Sequence, residues 1–228
     1  MVSEGGTLLF GASSRVGIAG AKLPETTVLP GIVRNFPLRR RCGQLEGCVT
    51  SPHSAGRAVC YCRDCQTFAR FLGNDKGILN DAGGTDIVAA SPRFVSFSRG
   101  QGQLRCMSLS GKGLLRWYTA CCRTPIGNTP RSPRLSYVGL LHNCLAGTPA
   151  EIDAAFGPAR VALHTAAPRR PVAATPWATF AAVLKIMRNV GSSRLGGKFR
   201  VNPFFKADPI AQPDVLTTME RRRLRGDG

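Results

Sequence analysis

Hydrophobic and polar positions alternate along the middle of the chain and predict a β-rich core. The segment Phe36–Val49 alternates loosely around a glycine-containing turn, which indicates a strand, a turn and a second strand. In Arg93–Ser98 the period is two, so Val95 and Phe97 share one face. Further strands are predicted at Asp86–Ala90, Leu104–Leu109, Leu114–Ala120 and Leu135–Leu141, with a hairpin connection at Gly100–Gly102 and a loop at Pro125–Asn128.

Helical patterns lie beside this core and after it. A short helix is predicted at Gln66–Leu72, and Thr148–Glu151 has the residues of a capping box with proline at the first helical position. Thr175-Pro176 repeats this start, and a short basic helix is predicted near Val215–Leu224. Apolar residues after Pro176 form one helical stripe that we expect to dock on the core: Trp177, Phe180, Ala181, Leu184 and Met187.

These elements predict a mainly β fold with a C-terminal helical extension. We expect a disordered leader at 1–34, a cysteine-rich β core at 35–145, and a helical extension with a basic tail at 146–228. The chain lacks a run of about 18 apolar residues, so neither a membrane span nor a membrane partner is predicted. The apolar patch Leu8–Gly11 precedes the first basic residue, Arg15, which is the reverse of a secretory signal, so we expect a cytoplasmic protein.

The net charge of +18 suggests an anionic partner, such as nucleic acid, an anionic surface or an acidic small molecule. The basic residues are spread along the chain, with short clusters at Arg39–Arg41, Arg169–Arg170 and Arg221–Arg225. Because charge alone does not specify a site, nucleic-acid binding is the weaker prediction. The sequence does not predict an oligomeric state.

The nine cysteines are an odd number and cannot all pair, and in a reducing compartment clustered cysteines are more often metal ligands or catalytic groups. Three of them lie in CYCRDC, Cys60–Cys65. A disulfide between Cys60 and Cys62 would close too tight a ring. Cys62 and Cys65 have the spacing of a redox pair, but such a pair begins a long helix in a βαβ unit. Packing of buried cysteines is a further alternative, and a zinc knuckle fits the spacing best.

A zinc site with three protein ligands keeps one position open for water or substrate, whereas structural zinc sites have four ligands. The triad Cys60, Cys62 and Cys65 is therefore either an open, catalytic-type site or part of a site completed from elsewhere in the chain. The candidates to complete it are Cys42, Cys48, Cys121 and Cys122. Cys106 and Cys144 lie in apolar strand contexts and are predicted to be packing residues.

The triad, the predicted β-meander after it and the phrase WYTACCRTPIGN resemble the glutathione-dependent formaldehyde-activating enzyme and centromere protein V family, over about residues 37–130. Within that family, the longer phrases look like a bacterial subgroup. The resemblance implies an Mss4-like zinc-binding β-fold, with a structural zinc on an early C-x-C-G and a late C-x-x-C-G motif. It also implies a second, more labile zinc on the triad, and a carbon–sulfur lyase activity that joins formaldehyde to glutathione.

Both motifs of the implied structural zinc are altered here. Cys42 and the glycine after it match the end of the early motif, but Arg40 stands at its first cysteine. Cys122 matches the second cysteine of the late motif, Thr119 stands at the first, and Cys121 is an adjacent substitute. The resemblance thus implies Cys42 and Cys122 as ligands, Cys121 as a third and no clear fourth. In the alternative, Cys121 or Cys122 turns toward the triad and completes a single site.

Two functions of different classes follow. The first is a lyase that acts on a small thiol adduct, such as one of glutathione, through an open zinc site. Glutathione carries two carboxylates, and Arg57, Arg63 and Arg123 lie beside the ligand segments as candidate partners. The second is a non-catalytic, zinc-stabilised binding module for nucleic acid or a protein partner, motivated by the altered motifs and the charge. Asp64 is a candidate supporting acceptor, and no catalytic acid or base is assigned.

Overall fold

The computed structural model describes residues 28–29, 32–33, 35–39 and 42–226. The other residues of the predicted leader, together with Arg40, lie outside this part of the chain. Within it, the strands in chain order are Val28–Leu29 (β1), Ile32–Val33 (β2), Asn35–Arg39 (β3), Glu46–Thr50 (β4), Gly56–Cys60 (β5), Thr85–Ala90 (β6), Val95–Arg99 (β7), Leu104–Ser108 (β8), Leu115–Thr119 (β9), Pro125–Thr129 (β10), Val138–Leu141 (β11), Val161–Leu163 (β12) and Pro213–Val215 (β13). The predicted mainly β fold is confirmed.

The largest layer of the described chain is an eight-stranded mixed sheet in the order β12-β5-β6-β11-β10-β9-β8-β13. Its central strands pair antiparallel, whereas β12 runs parallel to β5 and β13 runs parallel to β8. Both edge strands therefore come from beyond residue 145. The predicted loop at Pro125–Asn128 is wrong, because this segment is β10 and pairs with β9 and β11 on its two sides.

A second, three-stranded sheet has the order β3-β4-β7. The predicted strand pair in Phe36–Val49 is confirmed as β3 and β4. A Cβ atom on Gly47 would lie 2.0 Å from the carbonyl oxygen of Ser96, so the close approach of β4 and β7 requires glycine. The predicted hairpin at Gly100–Gly102 is wrong, because β7 pairs with β4 while β8 pairs with β9. This connection instead carries the chain from one sheet to the other.

Apolar side chains from both sheets form the main core around Trp117. The indole N–H of Trp117 donates to the Thr129 hydroxyl at 2.9 Å, which satisfies the polar group of this fully buried ring. The ring centroid of Phe204 lies 5.2 Å from that of Trp117 and 5.6 Å from that of Phe97. The C-terminal part of the chain is thus packed into the core. Cys106 and Cys144 are buried in the same cluster, as predicted for packing residues.

The helices are Arg63–Phe71 (α1), Asp75–Ile78 (α2), Pro149–Phe156 (α3), Pro176–Leu195 (α4) and Thr218–Arg225 (α5). The predicted capping box is confirmed at α3, where the Glu151 carboxylate accepts from the backbone N–H of Thr148 at 2.7 Å. The predicted basic helix near the C-terminus is confirmed as α5. Across the described residues, no helix is long and apolar enough to cross a membrane.

The prediction that the apolar stripe of α4 docks on the core is wrong. Trp177, Phe180 and Met187 are 85%, 64% and 63% exposed. The helix instead turns Ala182 and Ile186 toward the body of the protein, where both are half-buried. Two hydrogen bonds to β12 fix the rotation of α4 about its own axis at the start of the helix. Thr175 Oγ1 accepts from the backbone N–H of Ala162 at 2.9 Å. Thr179 Oγ1 donates to the carbonyl of Ala162 at 3.4 Å.

Candidate functional site

The triad cysteines converge where β5 meets α1. Cys60 is the last residue of β5, Cys62 is the N-cap of α1, and Cys65 lies in its first turn. The sulfur of Cys62 accepts a hydrogen bond from the backbone N–H of Cys65 at 3.3 Å. This turn from strand to helix brings the three Sγ atoms within 4.8 Å of one another. The geometry is that of three donors converging on one point.

Hydrogen bonding within the triad makes its thiols inequivalent. Contacts with Cys62 and then Cys65 raise the pKa of Cys60. The contact with Cys60, followed by that with Cys65, lowers the pKa of Cys62 far below the ordinary value for a thiol. Cys62 is therefore the first of the three to give up its proton, and the thiolate is the form of cysteine that binds metals.

Arg116 on β9 supplies a buried positive charge beside these thiols. Its side chain is nearly inaccessible, with a residue exposure of 4%, and Nη1 donates to the Asn128 side-chain oxygen at 3.3 Å. The guanidinium carbon lies 5.4 Å from the ring centroid of Phe68. Across the described residues no carboxylate is within ion-pair distance of Arg116, and its charge contributes to lowering the pKa of Cys62.

This environment fits a bound metal ion. A buried cation is costly unless an anion compensates it. Three thiolates around a divalent ion would carry one net negative charge, and the guanidinium of Arg116 would balance it. An N–H donor to one sulfur, a buried cation and three soft donors all favour the metal-bound form. The triad can therefore hold a metal ion.

A cavity of about 470 Å³ opens onto the triad. Its size is in the range of pockets that enclose a small molecule. Polar or charged side chains at its wall belong to Arg57, Arg63, Asp64, Arg116, Asn128, Tyr137 and His164. The apolar part of the wall comes from Ala58, Ile87, Ala89, Leu114, Leu163, Ala182, Val183 and Ile186. The pocket is thus built from both the sheet and α4.

The arginines predicted beside the ligand segments differ in their placement. Arg57 and Arg63 line the pocket, and Arg57 pairs with Asp86 at 2.7 Å and with Asp153. Arg123 lies elsewhere, where it donates to the carbonyl of Phe71 and stacks over that ring. The candidate acceptor Asp64 pairs with Arg225 of α5 at 2.6 Å.

Four polar or charged pocket residues were not identified from the sequence: Arg116, Asn128, Tyr137 and His164. Burial raises the pKa of Tyr137 to about 12, with a further contribution from Cys60 and Cys65, so its hydroxyl keeps its proton at neutral pH. His164 is exposed, with a φ of 52°, and follows β12 directly. Of these residues, only Arg116 could have been recognised from the sequence as a candidate site residue, because it is a charged residue inside the apolar run LLRWY.

Cys42, Cys121 and Cys122 form a second cluster, which is exposed. The Sγ atoms are 3.4 Å apart for Cys42 and Cys121, 3.2 Å for Cys121 and Cys122, and 3.0 Å for Cys122 and Cys42. Both cysteines of the adjacent pair therefore lie with Cys42, in a group separate from the triad. Cys48 belongs to neither group and contacts the Ser96 hydroxyl at 3.2 Å. This second cluster can also hold a metal ion.

Comparisons with known proteins add a family but no activity. The model of a family of unknown function, DUF6151, matches residues 32–214. No curated protein matches the chain. Among solved structures, the crystal structure of a Rhodobacter sphaeroides protein, a structural-genomics target, is 19% identical and covers 51% of this chain and 94% of its own, with a TM-score of 0.35. At this level of similarity the two folds are not shown to agree.

Proposed function

The chain belongs to DUF6151, a family of unknown function, and we propose that it is a zinc protein that binds a small thiol, or the adduct of a thiol with an aldehyde, at the triad. One observation carries the proposal: three thiols whose sulfur atoms lie within 4.8 Å of one another face a cavity of about 470 Å³. Three thiolates leave one tetrahedral position for an external ligand, and the cavity provides the space for it.

The donor set favours zinc over a hard cation, because thiolate ligands select soft or borderline metals. When bound, zinc would lower the pKa of an incoming thiol and hold its thiolate. Arg116 would balance the charge of the site, and the apolar wall would exclude water. The protonated hydroxyl of Tyr137 is a candidate hydrogen-bond donor to a substrate oxygen.

The reaction proposed is the one implied by the family resemblance. A thiol sulfur attacks the carbonyl carbon of an aldehyde, a carbon–sulfur bond forms, and the former carbonyl oxygen takes up the proton that the thiol has lost. In reverse, the carbon–sulfur bond breaks and the thiol and aldehyde separate. This is carbon–sulfur lyase chemistry, and it needs no oxidant or reductant.

The proposal includes an Mss4-like fold with a second zinc on Cys42, Cys121 and Cys122. The mainly β architecture supports this assignment. So does the presence of two separate groups of three cysteines, which lie in loops and at the ends of strands. The nine cysteines all lie in the described part of the chain, and no disulfide joins any of them. A site of reduced cysteines suits a reducing compartment, so we also propose a cytoplasmic location.

The metal assignment is tested by elemental analysis of tag-free protein purified without chelator. We expect two zinc ions per chain in the wild type and one in Cys62→Ser and in Cys122→Ser. The control is Cys106→Ser, a buried cysteine outside both clusters, which should keep both ions. Protein without zinc, or a zinc content that Cys62→Ser leaves unchanged, would refute the metal site at the triad.

A non-catalytic binding module is the second candidate, and the exposed stripe of α4 favours it. Trp177, Phe180 and Met187 are exposed apolar side chains of one helical stripe, which a protein partner could cover. The two candidates differ at the triad, because only the first needs an open metal position. Cobalt-substituted protein whose absorption spectrum is unchanged by any thiol would support the binding module.

A further inference from the structure

We infer that the triad pocket selects thiols with an apolar body over glutathione, and that α4 supplies the selecting wall. This inference rests on the proposed function, since it names the class of thiol that the open site takes. It departs from the glutathione-like partner predicted from the sequence. The reason is the chemistry of the wall, which is mostly hydrocarbon and whose charged groups already have partners within the protein.

The apolar wall surrounds the triad from several directions. Ile87 of β6 and Leu163 of β12 pack against Cys60 and Cys65 themselves. On another side, Ala182, Val183 and Ile186 of α4 face the cavity. A thiol that reaches the metal position must therefore pass its carbon skeleton along hydrocarbon side chains. Burial of apolar surface in such a wall favours an apolar skeleton.

Three charged side chains of the pocket wall, Arg57, Asp64 and Arg116, already interact with groups of the protein. Arg57 has its guanidinium on Asp86 and Asp153, and Asp64 pairs with Arg225. Arg116 lies under Phe68 and beside the thiols, where its charge balances the metal site. Glutathione carries two carboxylates and an ammonium besides its thiol. Those groups would lose water in this pocket without gaining matching partners, and burying an unpaired charge is unfavourable.

Hydrogen bonds and strand pairing hold α4 in its place above the triad. Leu163 pairs with Cys60 in the parallel ladder of β12 and β5, and its carbonyl accepts from the backbone N–H of Tyr61 at 2.9 Å. The ammonium of Lys185 donates to the carbonyl of Ala55 at 2.7 Å, just before β5. The wall formed by α4 is therefore tied to the strand that carries the first triad cysteine.

The test uses cobalt-substituted full-length Cys122→Ser protein, which keeps the triad and should lack the metal of the second cluster, titrated with phenylmethanethiol and, separately, with glutathione. Coordination of a fourth thiolate changes the charge-transfer absorption of cobalt, so binding is read without turnover. We expect both thiols to change the spectrum, and phenylmethanethiol to bind roughly tenfold or more tightly. Glutathione binding as tight or tighter would overturn the selectivity and leave the proposed function standing. No spectral change with either thiol would refute the proposed function itself.

Two adjacent substitutions on α4 test the role of the helix. Ile186→Asp places a charge on the pocket wall, whereas Met187→Asp places the same charge on the exposed face. We expect Ile186→Asp to weaken phenylmethanethiol binding by roughly tenfold, and Met187→Asp to leave it unchanged. The milder Ile186→Ala should give a smaller loss in the same direction. If the parent protein and its three variants all bind phenylmethanethiol with the same affinity, α4 is not the selecting wall.

Discussion

Arg116 is the residue whose burial is hardest to explain without an anion at the triad. It lies on β9 between Leu115 and Trp117, both fully buried, and its hydrogen-bond partner Asn128 is neutral. A guanidinium in such a place is retained at a cost in stability unless its charge is balanced. Three thiolates with a divalent ion carry one net negative charge and would supply that balance.

Replacing Arg116 should therefore have opposite effects on metal affinity and on the metal-free fold. For Arg116→Met we expect the triad ion to bind about 10- to 100-fold more weakly, as is typical when a group supporting metal ligands is lost. The metal-free variant should be at least as stable as the wild type, because a buried charge has been removed. Chelator competition and thermal unfolding measure the two quantities.

Arg105→Met on the neighbouring strand is the matched control, since Arg105 is exposed and hydrogen-bonds to nearby carbonyls. It should leave the metal affinity unchanged. If Arg116→Met also leaves the affinity unchanged, the proposed charge balance is wrong.

At the residue scale, the sequence led to the cysteines and to the neighbouring pocket residues Arg57, Arg63 and Asp64, and it missed the pocket residues that are distant in the sequence. The spacing of Cys60, Cys62 and Cys65 is local, so it identifies the triad without knowledge of the fold. The grouping of Cys121 with Cys42 depended on the family resemblance, because 79 residues separate them. Arg116 on β9, Tyr137 just before β11 and His164 just after β12 are distant from the triad in the sequence. Their approach to the triad depends on strand order, which no local pattern contains.

At the scale of elements, about half of the strands and most of the helices were predicted; the pairing of β3 with β4 was predicted and that of β7 with β4 was not. Alternation located β7 and β8 but suggested a hairpin, whereas the two strands belong to different sheets. The segment Pro125–Thr129 contains proline, glycine and asparagine, which favour turns in isolation. Strands on both sides of it override that preference, and every residue of β10 is buried.

Helix α4 shows the same limit for the orientation of a helix. Its sequence has apolar residues on more than one face, so periodicity alone did not determine which face packs. The hydrogen bonds from Thr175 and Thr179 to Ala162 determine the rotation at which the helix leaves β12. These contacts therefore connect an edge strand, the helix and the pocket wall.

Thr175→Val should loosen this connection with little change in side-chain shape. The substitution removes the acceptor for the backbone N–H of Ala162, which should lower the free energy of unfolding by about 1–2 kcal/mol. We expect faster hydrogen exchange at Ala162, measured in the full-length protein. Thr218→Val at the exposed start of α5 is the control and should change neither quantity. Unaltered exchange at Ala162 would show that the strand holds without Thr175.

At the scale of the whole molecule, the two cysteine clusters differ in their access to solvent. Cys60 and Cys65 of the triad are buried beneath the pocket wall, and Cys42, Cys121 and Cys122 are all exposed. The family resemblance implies that the triad holds the more labile ion. The burial of the two clusters predicts the opposite order in this chain, because a chelator must reach the metal before it can remove it.

Metal release to a chelator should therefore occur in two phases, each of about one zinc ion per chain on the proposed stoichiometry. We expect the fast phase to come from the exposed cluster and to be absent in Cys122→Ser. The slow phase should come from the triad and be absent in Cys62→Ser, while Cys106→Ser keeps both. Stopped-flow absorbance of a zinc-binding dye measures the phases. If the fast phase instead disappears in Cys62→Ser, the chelator enters the open pocket and reaches the triad first. Access of solvent to the triad would then depend on the mouth of the cavity and not on the burial of the cysteine sulfur atoms.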